Sequence, residues 1–160
     1  RMRVGFGYDI HQLKAGRPCI LGGVHIESDL GPDGHSDADV LIHALMDAML
    51  GAAGLRDIGY YFPPEDDQYK GISSMLLLEK VNFLLKERGL QAYNIDIMVI
   101  SETPKLKPHI DMMKANLQSI LEIPLDRISI KATTNEMLGA IGRREGIAAQ
   151  AVVSVYEGEI

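Results

Sequence analysis

Strand-like segments alternate with helical segments along this chain of 160 residues, and this alternation most limits the folds it can adopt. Val4 to Ile10 has the pattern of a strand. The later segment DADVLIHALMDAMLGAAG places Leu41, Leu45 and Met49 at helical spacing. We therefore predict an α/β domain of the α+β sandwich type, with one mixed sheet and about three helices packed on one face. We expect these layers to take a ferredoxin-like arrangement.

The remaining segments continue the alternation. Two further helices are predicted in SMLLLEKVNFLLKERG, capped by Ser73 or Ser74, and in PHIDMMKANLQSILEI. The segments YNIDIMVIS, DRISIKATT and IAAQAVVSVYE have the pattern of strands, and PCILGGVHIES that of a hairpin around Gly22–Gly23. Ser36 is the predicted N-cap of the first helix. Residues 55–71 and 135–146 are predicted to be a long loop and a turn-rich link.

Composition excludes several classes of protein. The net charge of −6 argues against a nucleic-acid binder that uses a broad basic surface. The single cysteine, Cys19, excludes an intrachain disulfide and a cysteine-rich zinc site. No apolar run approaches the ~18 residues of a membrane-spanning helix. We expect one domain over residues 1–160, with Arg1 preceding a natural start at Met2, in the bacterial cytoplasm or, after loss of a transit peptide, the plastid stroma.

A carboxylate and two histidines form a candidate metal site. Asp9 and His11 lie two residues apart in the first strand, so both side chains point to the same face. Such a pair is commonly only a hydrogen-bonded surface pair. If the first helix packs beside this strand, however, His43 can join it, and two imidazoles with one carboxylate are typical of catalytic zinc. Asp39 or Asp47, one turn away on the same helix face, could then orient His43, or both could simply be solvated.

Four other segments carry groups that suit phosphates, although each also has an ordinary structural interpretation. GHSD precedes a helix, whose free N–H groups favour an anion, but a cap would look the same. PKLKPH and GRREG offer cations that could be merely solvated. KATTNE ends a strand with two hydroxyls and a carboxylate suited to a hard divalent cation. Together with the histidine site, these segments are what a phosphorylated substrate held by two cations would need.

The order of these motifs resembles one known family. GYDIH, HSDADVLIHALMDAMLGAAGLRDIG, FPPEDDQYKG, PKLKPHI, KATTNEMLG and GRREGIA follow the pattern of the 2-C-methyl-D-erythritol 2,4-cyclodiphosphate synthases. These enzymes belong to the non-mevalonate pathway of isoprenoid biosynthesis. The resemblance covers residues 2–157 in order and without large gaps.

The resemblance implies a reaction and an assembly. The 2-phosphate of 4-diphosphocytidyl-2-C-methyl-D-erythritol 2-phosphate would attack the β-phosphorus of the same molecule, so that CMP leaves and a cyclic diphosphate forms. Family members are homotrimers with each active site between two subunits. By resemblance, Asp9, His11 and His43 are zinc ligands, and Glu136 holds a second divalent ion, Mg²⁺ or Mn²⁺.

The resemblance also implies catalytic and substrate-binding residues. His35 and Thr134 match the residues that stabilise the transition state. The implied substrate contacts are Asp9, His11, His35, Ser36, Asp57, Ile58, Gly59, Phe62, Pro63, Pro64, Glu65, Asp66, Ser101, Glu102, Thr103, Pro104, Lys105, Leu106, Lys107, Thr133, Thr134, Asn135, Glu136 and Arg143.

One position departs from the family pattern. Ala140 stands where family members often carry an aromatic residue, beside an apolar channel on the trimer axis where an isoprenoid diphosphate has been found. We therefore expect at most weak axial binding of such a ligand. Two other functions fit the same motifs: a zinc-dependent phosphohydrolase that releases inorganic phosphate, and a trimeric module that binds metal and nucleotide without turnover.

Overall fold

The computed structural model describes residues 1–158, whose strands form a five-stranded mixed sheet and a separate two-stranded hairpin. The strands are β1 (Met2–Ala15), β2 (Cys19–Leu21), β3 (Val24–Ile26), β4 (Leu30–Pro32), β5 (Leu90–Ile100), β6 (Ile128–Thr133) and β7 (Gly146–Glu157). The α-helices are α1 (Val40–Ala52), α2 (Ile58–Tyr61), α3 (Ser74–Glu87), α4 (Ile110–Leu121) and α5 (Gly139–Gly142). Short 3-10 helices span Asp67–Tyr69, Lys107–His109 and Leu125–Arg127.

The strand order in the large sheet is β4-β1-β7-β5-β6. Strands β1 and β5 both pair antiparallel with β7, which lies between them, and β5 pairs parallel with β6. The β1–helix–β5 connection thus skips one strand, as in the split unit of a ferredoxin-like arrangement. The β5–α4–β6 connection differs, because its two strands are direct neighbours. The predicted α+β domain with one mixed sheet is confirmed.

One face of the sheet carries the helices and the core. Helix α1 lies against β1 and β7, α3 against β5, and α4 against β6. Leu41, Leu45 and Met49 of α1 are fully buried, as their spacing predicted. The opposite face of the sheet is open and partly apolar, because large apolar side chains that point outward from it are exposed. They include Val4, Phe6, Tyr8, Ile10 and Val152.

Several helix ends agree with the sequence analysis, and one does not. Ser73 caps α3 by accepting a hydrogen bond from the backbone N–H of Met75, as predicted. The predicted cap of α1 is wrong, since Asp39 occupies the N-cap position and accepts from the N–H of Ile42. Ser36 lies three residues earlier and bonds to other groups. A carboxylate cap satisfies the same free N–H groups, so the local sequence allowed either residue.

The loops contain more regular structure than their composition predicted. The segment 55–71 includes α2 and a 3-10 turn, and the link 135–146 includes α5. The predicted hairpin is confirmed as β2 and β3, and its turn residues Gly22 and Gly23 have positive φ values of 57° and 74°. Among residues 1–158, no helix combines the length and apolarity required to cross a membrane.

Candidate active site

A close contact between β1 and α1 brings the metal-binding candidates together. A Cβ atom on Gly5 would lie 1.9 Å from the carbonyl oxygen of Ala48, and one on Gly7 would lie 2.0 Å from that of Ala44. Only glycine lets the helix backbone approach the strand this closely. The next inward-facing residues of β1 are Asp9 and His11, and α1 therefore places His43 directly beside them.

The three side chains converge on one point. Asp9 Oδ2 lies 2.8 Å from His11 Nε2 and 3.2 Å from His43 Nδ1, and the two nitrogens are 3.3 Å apart. His43 is buried, and the other two residues are partly buried. The predicted association of Asp9, His11 and His43 is confirmed as a geometric cluster.

Each imidazole has a hydrogen-bond partner on its far side, and that partner determines which ring nitrogen carries the proton. His11 Nδ1 lies 3.0 Å from the carbonyl oxygen of Asp33, which can only accept, so this nitrogen carries the proton. His43 Nε2 lies 2.9 Å from Ser74 Oγ, and that hydroxyl donates to the Asp37 carboxylate. Ser74 Oγ therefore accepts from His43 Nε2–H. Both remaining ring nitrogens present lone pairs to the common point.

Three acceptor atoms facing one another are what a bound cation requires. Burial alone would raise the pKa of the Asp9 carboxyl, but the neighbouring His11 and His43 outweigh burial and hold that pKa below its usual range. Burial acts to lower the pKa of His11, while the Asp9 carboxylate outweighs it and raises that pKa. Asp9 Oδ2 is buried without a hydrogen-bond partner of acceptable geometry. The donor set thus fits a divalent metal ion bound by two imidazoles and one carboxylate.

Asp39 and Asp47, for which the sequence left open either orientation of His43 or simple solvation, instead hold neighbouring backbone segments. Asp39 is fully buried and accepts from the N–H groups of Gly22 and Gly23, so it ties the β2–β3 turn to the start of α1. Burial raises the pKa of the Asp39 carboxyl to about 6. Asp47 accepts from the N–H of Ile58 and so holds α2. The groups that contact His43 on its far side, Ser74 and Ser36, come from separate segments, and Ser74 was missed because only the fold brings it close.

A cavity of about 240 Å³ opens beside the metal-binding candidates. His35 lines it, and its Nε2 lies 3.0 Å from the carbonyl oxygen of Asp66. Tyr69 and Leu77 also line it and were not predicted. Predicted residues in the lining are Asp9, His11, His35, Ser36, His43, Ile58, Gly59, Phe62 and Pro64. The predicted contacts Asp57, Pro63, Glu65 and Asp66 lie on the neighbouring segment 57–66 but outside this lining.

A second cavity, of about 370 Å³, lies between the ends of β5 and β6. Loop residues and the end of β6 build it, and two lysines and two threonine hydroxyls give it groups that suit an anion. Its lining consists of Ser101, Pro104, Lys105, Leu106, Lys107, Ala132, Thr133 and Thr134. It shares no lining residue with the first cavity. Within a single chain, the predicted substrate contacts therefore fall into two separate groups.

The other predicted residues lie around the second cavity or beyond it. Glu102 accepts a hydrogen bond from the backbone N–H of Asn135, and Thr103 receives one from Arg144. Glu136 is exposed, with φ of 53°, next to the lining residue Thr134. Arg143 is exposed and pairs with Glu145, outside both cavity linings.

The fold and the site define a class: an α+β domain with a largely buried histidine–carboxylate cluster and a second cavity between the ends of two strands. Sequence comparison makes the class specific. The model of the YgbB family matches residues 2–156, and this chain belongs to that family. The 2-C-methyl-D-erythritol 2,4-cyclodiphosphate synthase of Synechococcus elongatus is 59% identical over 152 residues, which cover 95% of each protein. The synthase of Cytophaga hutchinsonii is 54% identical over 152 residues, 95% of this chain and 96% of the relative.

Solved structures agree with this family. The bifunctional IspDF of Campylobacter jejuni matches with a TM-score of 0.95 and 42% identity, over 99% of this chain and 43% of that one. A 2C-methyl-D-erythritol-2,4-cyclodiphosphate synthase in its CDP-bound form matches with a TM-score of 0.89 and 37% identity, over 96% of this chain and 100% of that one.

Proposed function

We propose that this chain is a lyase that converts 4-diphosphocytidyl-2-C-methyl-D-erythritol 2-phosphate to 2-C-methyl-D-erythritol 2,4-cyclodiphosphate and CMP. The observation that carries the proposal is the cluster of Asp9, His11 and His43, whose three donor atoms lie within 3.3 Å of one another. The names of the relatives support the product, and the CDP-bound neighbour supports a cytidine nucleotide as ligand.

In the proposed reaction, the main task of the protein is to position its substrate. Nucleophile and electrophile belong to one molecule, and correct orientation can supply roughly 7–11 kcal/mol of barrier lowering. A zinc ion held by Asp9, His11 and His43 would neutralise phosphate charge when bound. His35 faces the same cavity, where its ring is held by the Asp66 carbonyl and can stabilise a phosphate oxygen.

The second cavity would hold the nucleotide end. Lys105 and Lys107 can bind the diphosphate, and Thr133 and Thr134 can donate hydroxyl hydrogen bonds to it. Glu136 would hold Mg²⁺ or Mn²⁺ beside that diphosphate, because carboxylate oxygens suit hard cations. As the leaving group, CMP would carry charge on its phosphate, and cations at this end would stabilise that charge.

We further propose that the active protein is a homotrimer in which each site combines two subunits. Two features support this assembly. The two cavities share no residue, so one copy could supply the metal end and its neighbour the nucleotide end. The open sheet face also exposes Val4 by 70% and Phe6 by 60%, an apolar surface that favours burial against another copy.

The test is the product. Purified protein loaded with zinc is incubated with the substrate and Mg²⁺, and ³¹P NMR follows the phosphorus species. CMP together with a cyclic diphosphate is the expected result. Release of inorganic phosphate would instead identify a phosphohydrolase, and nucleotide binding without turnover would identify a non-catalytic module. Sedimentation of the same sample tests the trimer. The cellular compartment stays a prediction.

A further inference from the structure

Arg144 holds a backbone conformation that arginine rarely adopts. Its φ is 64°, in the left-handed region where a Cβ atom is unfavourable and glycine is usual. Gly146 and Gly142 stand close by, so the local sequence is already rich in glycine. At Arg144 the side chain makes contacts that can offset this unfavourable backbone.

The guanidinium of Arg144 bridges two distant segments. Its Nε donates to Thr103 Oγ1 at 2.9 Å, and its terminal nitrogen donates to Asp29 Oδ1, also at 2.9 Å. Asp29 lies just before β4, the edge strand of the large sheet. Thr103 lies in the loop that follows β5. The planar fork of an arginine is suited to joining two acceptors in a fixed geometry.

The loop that contains Thr103 has two other anchors. The N–H of Ser101 donates to the carbonyl of Thr133 at 3.0 Å, and the Glu102 carboxylate accepts from the N–H of Asn135 at 2.7 Å. The first contact ties the loop to the end of β6, and the second ties it to the segment that follows β6. The contact with Arg144 is different, because Arg144 also binds Asp29 and so connects the loop to the segment that precedes β4.

We propose that Arg144 is a positioning residue that holds the Ser101–Lys107 loop in the conformation that receives a nucleoside diphosphate. This inference rests on the proposed function, which assigns the nucleotide to the second cavity. The ion pair with Asp29 is exposed, since Asp29 is 73% accessible, and exposed pairs contribute little to stability. The contacts of Arg144 therefore contribute mainly by fixing the geometry of the Ser101–Lys107 loop.

The decisive variant is Arg144→Gly, which removes the side chain and relieves the left-handed backbone. Calorimetry with CDP and Mg²⁺ should show a dissociation constant raised by about tenfold, as expected for loss of a hydrogen bond from a charged group. The Tm of the ligand-free variant should be equal to or above that of the wild type. Hydrogen exchange of the amides at 102, 103, 105 and 106 should become faster without ligand.

Glu122→Gly is the matched control. Glu122 caps α4 with φ of 56°, and its side chain forms no hydrogen bond or ion pair among residues 1–158. This variant should raise the Tm but leave the CDP affinity and the loop exchange rates unchanged. Thr103→Val removes the partner of Arg144, and combining it with Arg144→Gly should weaken CDP binding no further than either change alone.

The outcomes separate two kinds of failure. If the wild type binds CDP and Arg144→Gly binds it equally well, the positioning role is wrong and the proposed function stands. Additive losses in the double variant would also contradict it, because Thr103 and Arg144 would then act independently. If the wild type itself fails to bind CDP, both the proposed function and this inference fall together.

Discussion

The two cavities are built in opposite ways. The first cavity takes its three candidate metal ligands from β1 and α1, which pack against each other, and His43 is only 8% exposed. The second cavity, proposed above to hold the nucleotide, takes its lining from the ends of β5 and β6 and from loops, and Lys105, Lys107 and Thr133 are all exposed. Hydrogen bonds that His11 donates to the Asp33 carbonyl and His43 donates to the Ser74 hydroxyl fix the ring nitrogens of the first cavity.

This difference indicates how each region should respond to change. Positions in the buried region are set by backbone contacts, so its geometry is expected to be the same with and without ligand. The loop region depends on a few polar contacts and is expected to adjust when a ligand or a second subunit arrives. Substitutions should therefore have large, all-or-none effects in the first region and graded effects in the second.

The largest effect is expected from His43→Ala. The protein should fold but lose its tightly bound zinc, and turnover should fall by more than about 100-fold, since loss of even an outer hydrogen-bond partner of a metal ligand costs 10–100-fold. Metal analysis by mass spectrometry and the ³¹P product assay measure both. His25→Ala, at an exposed position in β3, is the control and should retain zinc. Full zinc content with normal turnover in His43→Ala would contradict the assignment.

Gly7→Ala compares the two regions through stability. The added Cβ would lie 2.0 Å from the carbonyl oxygen of Ala44, and overpacking of this kind typically lowers the free energy of unfolding by ~1–3 kcal/mol or more. Gly139→Ala is the counterpart in the loop region. Its Cβ would meet no atom within 4 Å, so only the positive φ of 68° opposes it, at a cost of about 1 kcal/mol.

Urea unfolding measures both variants, and zinc analysis follows the effect on the metal site. Gly7→Ala should lower zinc affinity as well as stability, because it separates β1 from α1. Gly139→Ala should leave zinc affinity unchanged. Equal losses of stability would mean that the close strand–helix contact is not what holds the buried site.

Ala140→Phe tests whether the exposed region can bind a prenyl ligand more tightly while the buried site stays unchanged. Ala140 lies in α5, exposed, beside Ile10 and Glu145. If this surface lines the trimer axis, the new ring would bury apolar area worth ~1.5–3 kcal/mol, one to two orders of magnitude in affinity for a prenyl tail. Calorimetry should show a larger gain for geranyl diphosphate than for inorganic diphosphate. Equal gains, or tight geranyl diphosphate binding by the wild type, would show that Ala140 does not line such a channel.

Glu136→Gln should have the smallest effect and makes the comparison sharper. Glu136 is exposed, and its loss should weaken the dependence of turnover on Mg²⁺ or Mn²⁺ by about tenfold or less, since other phosphate contacts remain. Zinc content should not change, because the buried cluster contains no group from this segment. Titration of Mg²⁺ in the activity assay, beside zinc analysis, tests this independence. Loss of zinc would mean that the two regions share one metal site.

The sequence was most informative where short-range periodicity decides structure. Alternation in β1 predicted that Asp9 and His11 share a face, and helical spacing predicted the buried side of α1. The order of motifs was sufficient to indicate the family, which the match over residues 2–156 confirmed. Loop composition was less informative, because short helices such as α2 and α5 are too brief to show a period.

The tertiary structure alone decided which groups surround those residues. Ser36 was expected to cap α1 but contacts His43, while Asp39 caps the helix and anchors Gly22 and Gly23. Ser74, distant in sequence, completes the support of His43. The sequence determines which residues share a strand or helix face, because that depends on repeats of two or 3.6 residues. Which faces meet depends on the packing of whole elements, and here the glycines of β1, by admitting the helix backbone, set that packing.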